Sequence, residues 1–430
     1  MALATRRDSP WLALIILTGI ATVGFIDRIV VNVLVEPLKA EFGLSDTQIG
    51  LLTGVAFAVL NVGLGIFVAR LAERRRRLTL ITVGTLAWSL ATAACGMATN
   101  WIQLLLARIG VGVGEAVGLP SNQSVVSDYF PPQRRATAMS ILLLAPPIGA
   151  FLGAAGGAWI ANEYGWRMAF YAAAVPGVVF ALLAYLFVSE PPRGRHDTGD
   201  IETVPSLGAV LRRFAQLPSA RHFVAGSALA SMIGFGLNAF VAALLMRKFG
   251  LSLVQAGLYS GALASAPGIL SISLGGMLTD HFGKSRPAAY ALLPGISLLI
   301  AMPIYVFAVT RSDVILLLGG MGLAALFQYT YLGCTYGTLQ NMMHTRARAT
   351  ASALLNVIYT LMGGFGPLLI GYMSDRFQLG GTDGGQALAW AMALTALIYL
   401  WAGTHYLLAA RHVRADLEAT RGTPPEEAFS

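Results

Sequence analysis

Apolar runs, each twenty-odd residues long and separated by short polar stretches, fill the chain from residue 11 to residue 408. A helix needs about 20 residues to cross a hydrocarbon core of about 30 Å. Twelve runs reach that length, at 11–35, 47–69, 78–98, 101–127, 135–161, 168–188, 222–246, 254–279, 287–309, 314–343, 348–374 and 386–408. The pattern predicts an all-α membrane protein of twelve transmembrane helices. The first run continues through Asp27 and Arg28 with no small-residue cleavage site, which reads as a retained span and not a removed signal peptide.

The runs also repeat. Residues 42–54, FGLSDTQIGLLTG, and residues 249–261, FGLSLVQAGLYSG, agree at eight of thirteen positions with an offset of 207. The same offset carries Glu73 to Asp280 and Arg77 to Lys284, and Arg135-Ala136-Thr137-Ala138 returns as Arg348-Ala349-Thr350-Ala351 at an offset of 213. Two pseudo-symmetric six-helix bundles follow, an architecture of secondary transporters whose site lies at the repeat interface. The polar interruption after the sixth run, with EPPRGRHDTGD inside it, reads as a solvated linker. The division is 1–190 for the first bundle, 191–220 for a cytoplasmic linker, 221–410 for the second bundle and 411–430 for a cytoplasmic tail.

Charged residues make up 12% of the chain, about half the roughly 25% of soluble domains, which excludes a water-soluble enzyme with a charged coat. The net charge of +8 does not signal nucleic acid, because its placement along the chain is lopsided. With the N-terminus inside, inner segments hold 21 of the 29 Lys and Arg, outer segments hold six, and Arg28 and Arg108 lie within spans. That bias places both termini in the cytoplasm. Arginine-rich usage, with three lysines, points to a bacterial cytoplasmic membrane. Cys95 and Cys334 sit in apolar runs and the six histidines show no paired ligand spacing, so no disulfide, metal or cofactor is expected. Gly283-Lys284-Ser285 lacks the leading glycine of a phosphate loop, since Leu278 stands there.

Chemistry concentrates in the charges within the spans. A charge at the bilayer centre costs about 2.5–3.5 kcal/mol on insertion scales, so such residues face the bundle interior and need partners or water. Asp27 and Arg28 are adjacent, and neighbouring residues point about 100° apart on a helix, so they need different partners. Arg108, Glu115 and Asn122, spaced by seven, form one polar stripe on the fourth span. Arg108 lies level with Asp27, and the spacing pairs these two and sets Glu115 about 10 Å deeper, facing a cavity. A carboxyl group whose arginine partner moves loads or releases a proton, which makes Asp27 and Glu115 candidate proton-coupling residues and Arg28 and Arg108 candidate partners or headgroup ligands. Static glue between helices is the competing role. The offset of 213 takes Glu115 to Gln328, so the proton machinery belongs to the first half. Candidate cavity residues are Phe25, Asn32, Asn122, Phe235, Asn238, Gln328, Tyr331, Tyr336, Asn356 and Tyr359. One charged end with aromatic walls suits a zwitterionic head on a hydrocarbon tail.

Between the second and third spans of each half lies a loop motif. Gly276, Asp280, His281, Gly283, Lys284 and Arg286 spell G-x-x-x-D-x-x-G-x-x-R, and the first-half copy is Ala69, Glu73, Arg74, Arg76 and Arg77. This resembles the signature loop of the major facilitator superfamily, which implies a cytoplasmic gate at Glu73, Arg74, Arg77, Asp280, Lys284 and Arg286. Asp27-Arg28, ARIGVGVGEA at 107–116, SDYFPPQRRATAMS at 127–140 and GWR at 165–167 resemble the Spinster family of lipid transporters within that superfamily. The resemblance implies alternating access, proton-driven movement of a lysophospholipid-like or sphingolipid-like amphiphile, and protonation at Asp27 and Glu115. A drug or small-metabolite exporter of the same superfamily is the alternative. A membrane receptor or membrane-embedded enzyme has no motif in its favour. Membrane lipids, the amphiphile and protons are the expected partners of a monomer. The glycines at 110–118, Gly149 and Gly153 read as close helix contacts, and Pro146 and Pro147 as a bend in the fifth span.

Overall fold

The computed structural model describes residues 9–63, 76–193, 195, 207–283, 285–343 and 347–422. Regular structure among them is helical. By contacts the chain forms two compact units, Met1–Asp200 with Asn238–Ser265, and Ile201–Leu237 with Ala266–Ser430. The helices used below are, in the first unit, α1 (Pro10–Val33), α2 (Val35–Phe42), α3 (Arg77–Met97), α4 (Trp101–Glu115), α5 (Gly118–Tyr129) and α6 (Trp166–Phe187). Next come α7 (Pro218–Phe249) and α8 (Leu253–Gly283), each of which the division cuts, and then α9 (Ala289–Thr310), α10 (Val314–Gln328), α11 (Thr330–Asn341) and α12 (Arg348–Leu379) in the second unit. Residues 238–265 fall to the first unit, where Arg247 on α7 holds Glu36 at 2.7 Å and both carboxylate oxygens of the fully buried Asp46 at 2.7 and 2.8 Å.

Turn chemistry explains the repeated motif. Gly43 and Gly250 both adopt left-handed backbone, with φ of 63° and 65°, and their N–H groups cap the preceding helices by bonding Lys39 O and Met246 O. Two residues on, Ser45 and Ser252 start the next helices. Ser45 Oγ accepts from Gln48 N–H while Gln48 Oε1 accepts from Ser45 N–H, and Ser252 and Gln255 make the same reciprocal pair. Phe-Gly-Leu-Ser-x-x-Gln is thus a helix stop followed by a helix start, kept in both halves.

Eleven helical segments among the described residues are long and apolar enough to cross a membrane. The remaining expected span, the fourth, is present as two shorter pieces, α4 and α5, that part at Ala116–Val117 directly after Glu115. The tenth span parts in the same place, since α10 ends at Gln328 and α11 begins at Thr330. The expected bend in the fifth span falls at Leu143–Leu144, and Pro146 and Pro147 occupy the first turn of the helix that follows, where a missing N–H is harmless. Glycines bring backbones together as expected. A Cβ on Gly114 would lie 2.7 Å from Trp88 N, and one on Gly149 would lie 2.6 Å from Thr22 O. Gly118, by contrast, has open space beside it.

Candidate functional site in the first unit

The charged stripe of the fourth span meets α1 as expected, but with different pairings. Arg28 Nε donates to Glu115 Oε2 at 2.5 Å, and the Arg28 guanidinium lies over the rings of Phe25 and Phe57 at 5.1 and 4.7 Å. The Glu115 side chain is 3% exposed and that of Arg28 33%. The expected side-chain pair between Asp27 and Arg108 does not form. Arg108 Nη1 instead donates to the backbone carbonyl of Asp27 at 3.0 Å. The reason is rotational: the stripe fixes which face of α4 is polar, while the 100° step between Asp27 and Arg28 turns Arg28 toward Glu115 and leaves Asp27 enclosed.

A pocket leaving about 30 Å³ for the centres of water molecules opens between α1, α3, α4 and α5. At roughly 10–15 Å³ per water on that measure, it admits about two. Phe25, Arg28, Trp88, Glu115, Gly118 and Asn122 are among its walls. Asn122, fully buried, donates from Nδ2 to Leu17 O at 3.5 Å. Glu115 therefore borders a space wide enough for water, whereas Asp27, fully buried beside Arg28 on α1, does not line it. Asn32, half-buried one turn beyond Arg28, lies outside the walls as well.

In the second unit the structure brings together only some of the cavity candidates. Phe235 packs edge-on against Tyr359, with ring centres 5.3 Å apart. Gln328 is buried and accepts a hydrogen bond from the Tyr305 hydroxyl, and a Cβ on Gly234 would lie 2.7 Å from its Nε2. Tyr331 is buried with its ring centre 6.4 Å from that of Tyr406, Tyr336 is half-buried, and Asn356 is exposed. Asn238, half-buried on α7, falls in the first unit by contacts.

Of the gate residues, Glu73, Arg74 and Lys284 lie outside the described residues, as does the side chain of Asp280, and Arg286 is exposed. Arg77 is buried, and sequence reasoning missed its partners. It donates to Asp128 Oδ2 at 2.5 Å, Glu190 Oε1 at 2.8 Å, Ser124 Oγ at 2.8 Å and Pro191 O at 3.0 Å. Glu190 Oε2 also accepts from Leu78 N–H at 2.8 Å, a carboxylate placed at the positive start of α3. Thr85, Ser89 and Thr92, buried on one face of α3 at spacings of four and three, were missed too. That helical periodicity of hydroxyls in an apolar run was the available signal.

A sequence profile described as Major Facilitator Superfamily matches residues 16–367. An "MFS-type efflux pump" of Mycolicibacterium smegmatis is 31% identical, covering 96% of this chain and 95% of that protein. The "Sphingosine-1-phosphate transporter SPNS2" of Danio rerio is 26% identical, over 87% of this chain and 78% of its own length. Among solved structures, a bacterial homologue of the human lysosomal transporter Spinster, described as inward-facing and unoccupied, is 32% identical with a TM-score of 0.86 and covers 95% of this chain and 98% of that one.

Proposed function

Since the chain belongs to the major facilitator superfamily and is a multi-pass membrane transporter and not an enzyme, we propose that its cargo is an amphiphilic lipid of lysophospholipid or sphingolipid type, driven by protons. The observation that carries this reading is the Arg28–Glu115 pair at the wall of a pocket shared with Phe25, Trp88, the Asn122 amide and small or aliphatic residues. A guanidinium with two aromatic faces beside it meets the phosphate or carboxylate of a lipid head. Similarity to a sphingosine-1-phosphate transporter supports the same cargo class. Glu115 exchanges its proton with the pocket, Asp27 is the enclosed second carboxyl, and Arg28 and Arg108 are their partners. The remaining aromatic and amide candidates line the cargo route, and the loop charges at Glu73, Arg74, Arg77, Asp280, Lys284 and Arg286 gate it. The protein works as a monomer in a bacterial cytoplasmic membrane with both termini inside.

Proteoliposome uptake of a fluorescent lysophospholipid, with and without an imposed pH gradient, tests this. Gradient-dependent accumulation is expected, and it should vanish in Asp27→Asn and Glu115→Gln. Movement of a small hydrophilic drug in place of every amphiphile tried would favour the second reading, a drug exporter, which the 31% identical efflux pump supports.

A further inference from the structure

Two histidines 183 residues apart in sequence meet in the second unit. His222, near the start of α7, and His405, in the closing span Ile398–Ala409, lie with their Nδ1 atoms 2.9 Å apart and their ring centres 5.2 Å apart. Both are half-buried. A neutral imidazole has one donor and one acceptor nitrogen, so one Nδ1–H donates to the other Nδ1. A proton added to the donor ring strengthens that bond by giving it a charge. A second added proton makes both Nδ1 atoms donors and sets two positive rings against each other, which abolishes the bond. The other groups whose charge acts on His222 are His412 and Arg221, of the same sign when protonated, and the Trp401 ring lies 6.0 Å from that of His405. The rings have little room to back away together with their helices. One turn on, a Cβ on Gly226 would lie 2.8 Å from the Tyr406 ring and 3.1 Å from Ala402 O, and Phe223 meets Tyr406 edge-on at 5.5 Å.

The same end of α7 gathers two further segments. Leu217 N–H bonds Arg213 O and Arg221 N–H bonds Leu217 O, which carries the linker helix Leu207–Gln216 into α7. Asp416, on the tail helix Val413–Gly422, accepts from the N–H and the hydroxyl of Ser219 at 2.9 and 2.5 Å. We propose that His222 and His405 form a proton-binding clasp, a site separate from Asp27 and Glu115, which holds the linker end of α7 to the closing span with one added proton or none and releases it when both rings are charged. In the orientation proposed above the clasp faces the cytoplasm, so acid on that side opens it. It needs no cargo and no coupling at Glu115. The offset of 207 takes His222 back to Ile15, so the first half has no counterpart at that position.

The test follows the full-length protein in nanodiscs from pH 7.5 to 5.0, a range across the ordinary histidine value of about 6.5. In nitrogen NMR of labelled histidines, His222 and His405 should titrate together in two steps more than about one pH unit apart, and His405→Gln should leave His222 with a single step. Hydrogen exchange, corrected for its intrinsic pH dependence, should show the backbone of residues 217–226 losing protection about tenfold at the acid end. His222→Gln combined with His405→Gln keeps an amide pair that does not titrate and should abolish that loss, whereas His412→Ala should leave it in place. Asp27→Asn combined with Glu115→Gln should leave it in place too, which keeps the clasp distinct from the coupling site. Independent single-step titration of the two histidines in the parent overturns the proposal, and needs no variant to fold. So does an acid loss of protection that survives in the double glutamine variant, or one that disappears with His412 or with the coupling carboxylates.

Discussion

Arg28→Leu should destabilise the protein more than Glu115→Gln, although each removes the same ion pair. In Arg28→Leu the Glu115 carboxylate stays behind with 3% of its side chain exposed, and stranding a buried charge in this way costs about 3–5 kcal/mol. In Glu115→Gln the guanidinium left behind is one-third exposed and still lies over Phe25 and Phe57. Water screens it, and the glutamine amide oxygen still accepts a neutral hydrogen bond, so the loss is about 1–2 kcal/mol. The gap of about 2 kcal/mol corresponds to about 2 °C in the unfolding temperature of a 430-residue chain. Thermal unfolding of the detergent-solubilised protein reads it directly. Adding Glu115→Gln to Arg28→Leu should raise the unfolding temperature above that of Arg28→Leu alone, without restoring gradient-driven uptake. Equal midpoints for the two single variants, or a double variant weaker than Arg28→Leu, would refute the assignment of Glu115 as the buried member of the pair.

Gly114→Ala places a Cβ 2.6 Å from that of Trp88, so α4 must move off α3; a loss of about 1–3 kcal/mol is expected in the same unfolding assay. Ser45→Ala and Ser252→Ala each remove a reciprocal helix cap and should cost about 1 kcal/mol, equally in the two halves. Hydrogen bonds from Arg167 and then Trp166 hold the carboxyl of Glu41 below its usual value of 4.5. The stabilisation is complete above that value and is lost as pH falls through the lowered one. Glu41→Gln should therefore lower the unfolding temperature at pH 7, with the difference closing as the buffer is taken below about pH 4, a convergence that a pH series of melts would reveal.

The spans, the duplication and the polar face of the fourth helix were legible because each rests on spacing along the chain. Pairings were legible only in part, because they depend on rotation about a helix axis and on side-chain length. Asp27 and Arg108 do sit level, yet the long arginine reaches past the carboxylate to the backbone carbonyl of the same residue. Arg77 was assigned to its own loop with Glu73, whereas its acceptors Asp128 and Glu190 lie 51 and 113 residues away in sequence, a distance no local pattern encodes. Ser89 and Thr92 escaped notice because hydroxyls in apolar helices are common. What sets them apart is a missing back-bond, visible only in three dimensions.

The duplication preserved the helix stops and starts and the charges of the loops, but not the charges within the spans. At the repeat offsets Asp27 becomes Gly234, Arg28 becomes Phe235 and Glu115 becomes Gln328. The structure brings Gly234 against Gln328, and Gln328 is held by the Tyr305 hydroxyl, so the second unit carries a neutral, closed version of the first unit's site. A carboxyl placed there would find Phe235 where Glu115 finds Arg28. Gln328→Glu should therefore destabilise the protein by about 3 kcal/mol or more at pH 7, as an unpartnered buried charge does. Phe235→Arg in the same chain should recover part of that loss by rebuilding the pair. A Gln328→Glu variant as stable as the parent would mean that position 328 is reached by water, and the contrast between a charged switch in one half and a rigid neutral wall in the other would fall with it.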